Sequence, residues 1–124
     1  MEAATVGAAL GASQVTDREL LEKAAKAAGY EINAPIQAKR YSTGGCDGLW
    51  ITNVSTCWNP LTDDGDALRL AVKLRMDVVH FSDSVRANVD GYDDYHAAND
   101  GDPYAATRRA IVRAASAMEA NDDR

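Results

Sequence analysis

The stretch Trp58-Asn59-Pro60-Leu61-Thr62-Asp63-Asp64-Gly65-Asp66-Ala67-Leu68-Arg69-Leu70-Ala71-Val72-Lys73-Leu74 carries the change from strand to helix on which the fold depends. Pro60 keeps Asn59 extended, because its ring clashes with a helical residue before it. Thr62 or Asp63 then offers an N-cap oxygen, and Asp63, Asp64 and Asp66 gather at the positive end of the helix that follows. Ala67, Leu70, Ala71 and Leu74 recur at helical spacing and form its buried stripe. The spacing predicts a helix over about residues 63–74, entered from an extended segment.

Upstream, Thr16-Asp17-Arg18-Glu19 is a capping box, in which hydroxyl and carboxylate satisfy two backbone amides reciprocally. Leu20, Leu21, Ala24, Ala25 and Ala28 follow as an apolar stripe, and Gly29 supplies the stop. Glu19/Lys23 and Glu22/Lys26 are i,i+4 pairs in the favourable order. Tyr30–Arg40 and Gly48–Asn53 read as strands joined through the turn residues Ser42–Gly48, with a further extended piece over Val54–Trp58.

Downstream, Met76–Phe81 alternates as a strand, Ser82-Asp83-Ser84 turns, and Val85–Val89 reads as a weaker strand. Asp90–Gly101 is acidic and contains glycine, so it reads as a loop. Asp102 caps a last helix with Pro103 at its first position, running to about Ala117. Tyr104, Thr107, Ile111, Ala114 and Met118 are its predicted inward stripe. The order gives an α+β fold: a small, mostly antiparallel sheet with three helices packed on it, an αβα sandwich-like single domain. Residues 1–15 read as an N-terminal extension, 16–120 as the domain and 121–124 as a polar tail.

The 124 residues suit one domain, and 46% hydrophobic with 26% charged residues is ordinary globular composition. The net charge is −6, with −1 from residues 1–62 (five basic, six acidic) and −5 from residues 63–124 (eight basic, thirteen acidic). Such a balance repels nucleic-acid backbone and anionic lipid, so no nucleic acid and no membrane is expected as a partner. No apolar run has transmembrane length, and Glu2 without a basic residue is unlike a secretory signal, so a cytoplasmic location is expected.

Cys46, Cys57, His80 and His96 lack the close pair spacing of zinc sites, and no metal or cofactor is expected. Thr62–Gly65 and Asn99–Asp102 lack the alternate ligands of a calcium loop. Neither cysteine has an activating neighbour, so plain thiols are the reading; one bridge between them is geometrically possible but does not follow from spacing. Gly44-Gly45-Cys46-Asp47-Gly48 lacks the lysine and hydroxyl of a phosphate loop and reads as a turn. With no catalytic constellation, binding is expected rather than catalysis.

Arg109 and Arg113 stand four residues apart on the last helix, a local break in an acidic field. A solvated face near a helix C-terminus is the plainer reading; a two-guanidinium fork for a phosphate or diphosphate is the sharper one. Trp50, Trp58, Phe81 and Tyr104 read first as core, and with the arginines they offer stacking surfaces for a nucleobase.

The segment Trp58–Leu74 resembles the hallmark of small tailed-phage proteins carrying the phage ABA sandwich domain, in which a Trp-Asn-Pro-x-Thr-Asp segment opens a helix. Asp102–Ala114 resembles their C-terminal helix and Thr16–Gly29 their usual beginning. Similar in size and plan are the type-1 anti-Thoeris proteins, phage sponges that sequester cyclic ADP-ribose isomers, and in some cases cyclic di- or trinucleotides, without cleaving them. The resemblance implies a phage-encoded anti-defence sponge acting as a homo-oligomer, dimer or higher, in the host cytoplasm. By position it places Arg109 and Arg113 at the phosphates and Phe81 at the base, with Asn88 and Asp90 as secondary ligand-binding candidates. The alternative is a phage accessory protein that works by protein–protein interaction and takes no small molecule.

Overall fold

The capping box forms as the sequence predicts. In a computed structural model, which describes residues 16–33, 35–36 and 46–122 with side chains through Met118, Glu19 N donates to Thr16 Oγ1 at 3.1 Å. Thr16 N donates to Glu19 Oε1 at 3.0 Å. Helix α1 (Asp17–Ala27) follows and buries Leu20, Leu21, Ala24 and Ala25. Of the charged residues on its outer face, Glu22 is engaged by Arg18 at 3.3 Å.

Tyr30–Asn33 is not a strand, and Pro35 and Ile36 are helical. Ile36 N donates to Asn33 Oδ1, a side-chain cap that competes with extended pairing. The remainder of the predicted Tyr30–Arg40 strand, Ser42–Gly45 of the predicted turn and the 1–15 extension lie outside the described residues. The hairpin here is instead β1 (Leu49–Ile51) with β2 (Thr56–Trp58), antiparallel with Leu49 opposite Trp58. Its turn includes Ser55 at φ 52°.

A disulfide between Cys46 and Cys57 ties the entry of β1 to β2. The plain-thiol reading is thereby corrected. The hairpin folds β2 back along β1 and so sets Cys57 near Cys46 in the segment that enters β1, a proximity that linear spacing does not reveal. Gly48 is required beside this bridge. A Cβ there would overlap the Trp58 carbonyl oxygen and lie 2.6 Å from Asn59 Cβ.

Helix α2 (Asp64–Lys73) is capped by Asp63, whose Oδ2 accepts from Asp66 N at 2.8 Å. Ala67, Leu70 and Ala71 are buried as its spacing predicts. Asp66 also receives Arg69 Nη2 at 2.8 Å, and this hydrogen bond raises the Arg69 guanidinium above its ordinary pKa.

A second sheet runs β3 (Asp77–His80), β4 (Ser84–Asn88), β5 (Tyr95–Ala98), antiparallel with β4 central. The predicted Asp90–Gly101 loop is corrected by β5, which exists through its ladder to β4. The described strands thus form two small sheets rather than one. Val85 and Ala87 of β4 are fully buried. Opposite residues share a face, so His80 and Ala97 lie beside Val85, and Val78 and Tyr95 beside Ala87.

Helix α3 (Pro103–Asp122) lies over that face and packs against α1, α2, β4 and β5. It runs past the predicted end near Ala117 and takes in residues 121 and 122 of the predicted tail. Ala106, Ala110, Ile111, Val112, Ala114 and Ala115 are its buried apolar residues, and Ser116 is buried beside them. This face is broader than the single predicted stripe, because α3 is central and meets partners on several sides. Tyr104, expected inward, is 70% exposed in the first turn. The described chain is an α+β domain with one core shared by α1, α2, α3 and both sheets.

Candidate functional site

The turn Asn99-Asp100-Gly101-Asp102 brings β5 directly into α3. Asp100 and Gly101 both have positive φ, 45° and 86°, a left-handed pair that glycine adopts without strain and aspartate tolerates. Asp102 N donates to Asn99 O at 2.7 Å and closes the turn. Asp102 Oδ1 then accepts from Ala105 N at 3.1 Å, so the acid expected as N-cap is in that role. Two elements are thereby set side by side with a recess between them.

That recess, about 360 Å³, is walled by His96–Asp100 on one side and by Ala105, Ala106, Arg109 and Arg113 on the other. The alanines keep it open, since each projects only a methyl group. The Ala105 and Ala106 amides are already bonded, to Asp102 Oδ1 and to Asp102 O. They are unavailable to a ligand. The positive charge of the recess therefore resides in the two guanidinium groups.

Arg109 and Arg113 are in different states. Arg109 Nη2 donates to both carboxylate oxygens of Asp17, at 3.1 and 3.3 Å. Its side chain is 35% exposed. Arg113, one turn on, is exposed and forms no ion pair among the described residues. Asp100 and Asp102 on the rim leave the recess mixed in charge rather than uniformly basic. Arg108, the sequence neighbour, points elsewhere: Nε donates to Leu61 O at 2.8 Å and Nη1 to Asp64 Oδ1 at 2.7 Å.

The other residues singled out by the resemblance do not join this recess. Phe81 follows β3, at the sheet edge remote from β5, and is 47% exposed. Strand alternation puts its neighbour His80 on the helix-facing side, where His80 Nε2 lies 3.2 Å from Thr107 Oγ1. Asn88 sits at the opposite end of β4 from Ser84, the partner of Ala98. Its Nδ2 donates to Tyr92 O at 3.0 Å and to Asp94 Oδ1 at 2.7 Å, so it stitches the β4–β5 connection. Asp90 is exposed in that same connection. Of the five residues, the fold unites Arg109 and Arg113 alone.

A second recess, about 400 Å³, opens on the other flank of α3. Ala67, Leu68, Ala71, Val78 and Ile111 give it apolar walls, with His80, Thr107 and Tyr104 around them. Leu68, 64% exposed, and Val72, 68% exposed, continue the apolar surface along α2. Helical spacing predicts Tyr104 and Thr107 inward; the sequence signal for this groove is the i,i+4 pair Leu68 and Val72 outside the buried stripe of α2, both exposed.

Among the described residues no cluster of three or more His, Cys, Asp or Glu side chains is placed to hold a metal ion. No described helix is long and apolar enough to cross a membrane. Compared with protein families, curated proteins and solved structures, the chain matches none. The resemblance to phage ABA sandwich proteins thus rests on the three sequence segments that carry it.

Proposed function

We propose that the chain binds and sequesters a small phosphate-bearing nucleotide, a cyclic ADP-ribose isomer or a cyclic di- or trinucleotide, in the recess between α3 and β5, without cleaving it. The observation that carries this reading is the pair Arg109 and Arg113, one helical turn apart on one wall of that recess. Guanidinium groups present planar forks that match phosphate oxygens, and the volume falls in the range of small-molecule sites. On this reading the chain is a phage-encoded anti-defence sponge, assembles as a homo-oligomer and acts in the host cytoplasm. It uses no metal or cofactor.

A stoichiometric binder must hold the signal more tightly than the signal's own receptor does, which demands a low dissociation constant. A thermal-shift screen with cyclic ADP-ribose isomers and cyclic di- and trinucleotides tests this, because a ligand of the native state raises the midpoint with concentration. A midpoint unmoved by every member of the panel contradicts it.

One observation favours a second reading, the accessory protein acting by protein–protein contact. Leu68, Val72 and Tyr104 expose apolar surface around the groove between α2 and α3, and contiguous surface of this kind marks interaction sites. The variant L68E/Y104A separates the two. On the sponge reading it binds nucleotide as the parent does.

A further inference from the structure

We infer that Asp17 is a built-in competitor for the ligand's second anionic group, so that the recess distinguishes a diphosphate from a single phosphate. This rests on reading the α3–β5 recess as an anion site. Asp17 reaches Arg109 from another helix and occupies Nη2 through both carboxylate oxygens. Arg113, on the same wall, carries no such partner among the described residues. The two guanidinium groups are therefore unequal: one is open and the other is already neutralised.

Among the described residues, the Asp17 side chain has no other hydrogen-bonded partner. The N-terminus of α1 is capped by Thr16 and closed reciprocally by Glu19. Helix α1 is held by its apolar face, with Leu20, Leu21, Ala24 and Ala25 in the common core. The ion pair is also exposed, 35% at Arg109 and 63% at Asp17. Pairs of this kind are weak and screened by salt. An arriving phosphate displaces such a carboxylate readily, whereas a buried pair would resist.

The consequence is graded by ligand charge. A lone phosphate seats on Arg113 and leaves Asp17 on Arg109. A diphosphate extends its second group to Arg109, and that group must replace the Asp17 carboxylate. Asp17 thus weakens binding of the two-group ligand while leaving the one-group ligand nearly untouched.

The test is calorimetric titration of the full chain with inorganic pyrophosphate and, separately, orthophosphate, using the parent, Asp17→Asn, Arg109→Ala and Arg113→Ala. Asp17→Asn is expected to tighten pyrophosphate roughly two- to five-fold, the scale of an exposed ion pair, with little change for orthophosphate. Its unliganded melting temperature should fall slightly, as the exposed pair with Arg109 is lost. Affinity and stability then move in opposite directions, which a purely structural tether does not produce. Pyrophosphate held by Asp17→Asn and not by the parent also supports the competitor. Equal binding by parent and Asp17→Asn, lost in Arg113→Ala, keeps the anion site and overturns the role of Asp17. Binding by neither, or binding indifferent to both arginine substitutions, removes the anion site and both readings with it.

Discussion

Arg108 Nε donates to the main-chain carbonyl of Leu61 across 2.8 Å, joining α3 to the segment that leads into α2. Its Nη1 continues to Asp64 Oδ1 at 2.7 Å, so one guanidinium ties together two elements far apart in the chain. Arg109, the next residue, reaches toward α1 instead. Adjacent arginines on one helix thus divide into a structural strut and a member of the recess wall.

Arg108→Ala is expected to lower stability by about 1–2 kcal/mol, because it strands the Leu61 carbonyl beneath α3 and leaves Asp64 without its partner. For a domain of this size that is a fall in melting temperature of about 4–8 °C. Arg108→Lys should rescue little, since an ammonium lacks the fork that reaches carbonyl and carboxylate together. Thermal unfolding followed by circular dichroism reads both. Nucleotide binding by the residual folded protein should be unchanged.

Gly48→Ala is expected to be among the most damaging single substitutions in the described chain. The added carbon meets main-chain and side-chain atoms of Trp58 and Asn59 rather than the end of a flexible side chain. Relief requires β1 and β2 to shift, and Leu49, Ile51 and Trp58 are all in the core. A loss of about 3 kcal/mol or more is the scale for overpacking of this severity. Denaturant titration measures it, and a loss below 1 kcal/mol on the same scale would show that the hairpin yields more easily than its packing implies.

Reduction of Cys46–Cys57 should destabilise the chain without emptying the recess. The bridge closes a loop of sequence separation 11, for which loop-closure entropy gives about 2–3 kcal/mol. The recess is built from β5 and α3, and neither contains a cysteine. Melting curves with and without a dithiol should therefore differ by roughly 8–12 °C, while affinity for the nucleotide stays within about two-fold. This outcome matters for the proposed cytoplasmic setting, where thiol pools keep most such bridges open.

The three main helices were legible because their signals are local. Thr16 with Glu19, Asp63 before α2, and Asp102 with Pro103 each mark a start through groups within a few residues. What the sequence concealed depends on distant partners. Tyr95–Ala98 contains two alanines of low strand preference and is a strand through its pairing with β4. The Cys46–Cys57 bridge depends on a hairpin whose register places Cys57 opposite Trp50. Arg109 and Arg113 were visible from helical spacing, since four residues make one turn. The separation of Phe81, Asn88 and Asp90 from them follows from strand order, which no single stretch of residues encodes. Asp17 reads locally as part of a cap, whereas its contact with Arg109 spans 92 residues.

The most direct measurement is recovery of ligand from a purified complex. The parent and Arg109→Ala/Arg113→Ala are each incubated with cyclic ADP-ribose isomers and cyclic di- and trinucleotides, separated from free ligand, heat-denatured, and the supernatant analysed by mass spectrometry. Intact nucleotide in stoichiometric amount is expected from the parent and none from the folded double variant. Cleaved product from the parent, no nucleotide from the parent, or equal recovery from the double variant would contradict the sponge reading.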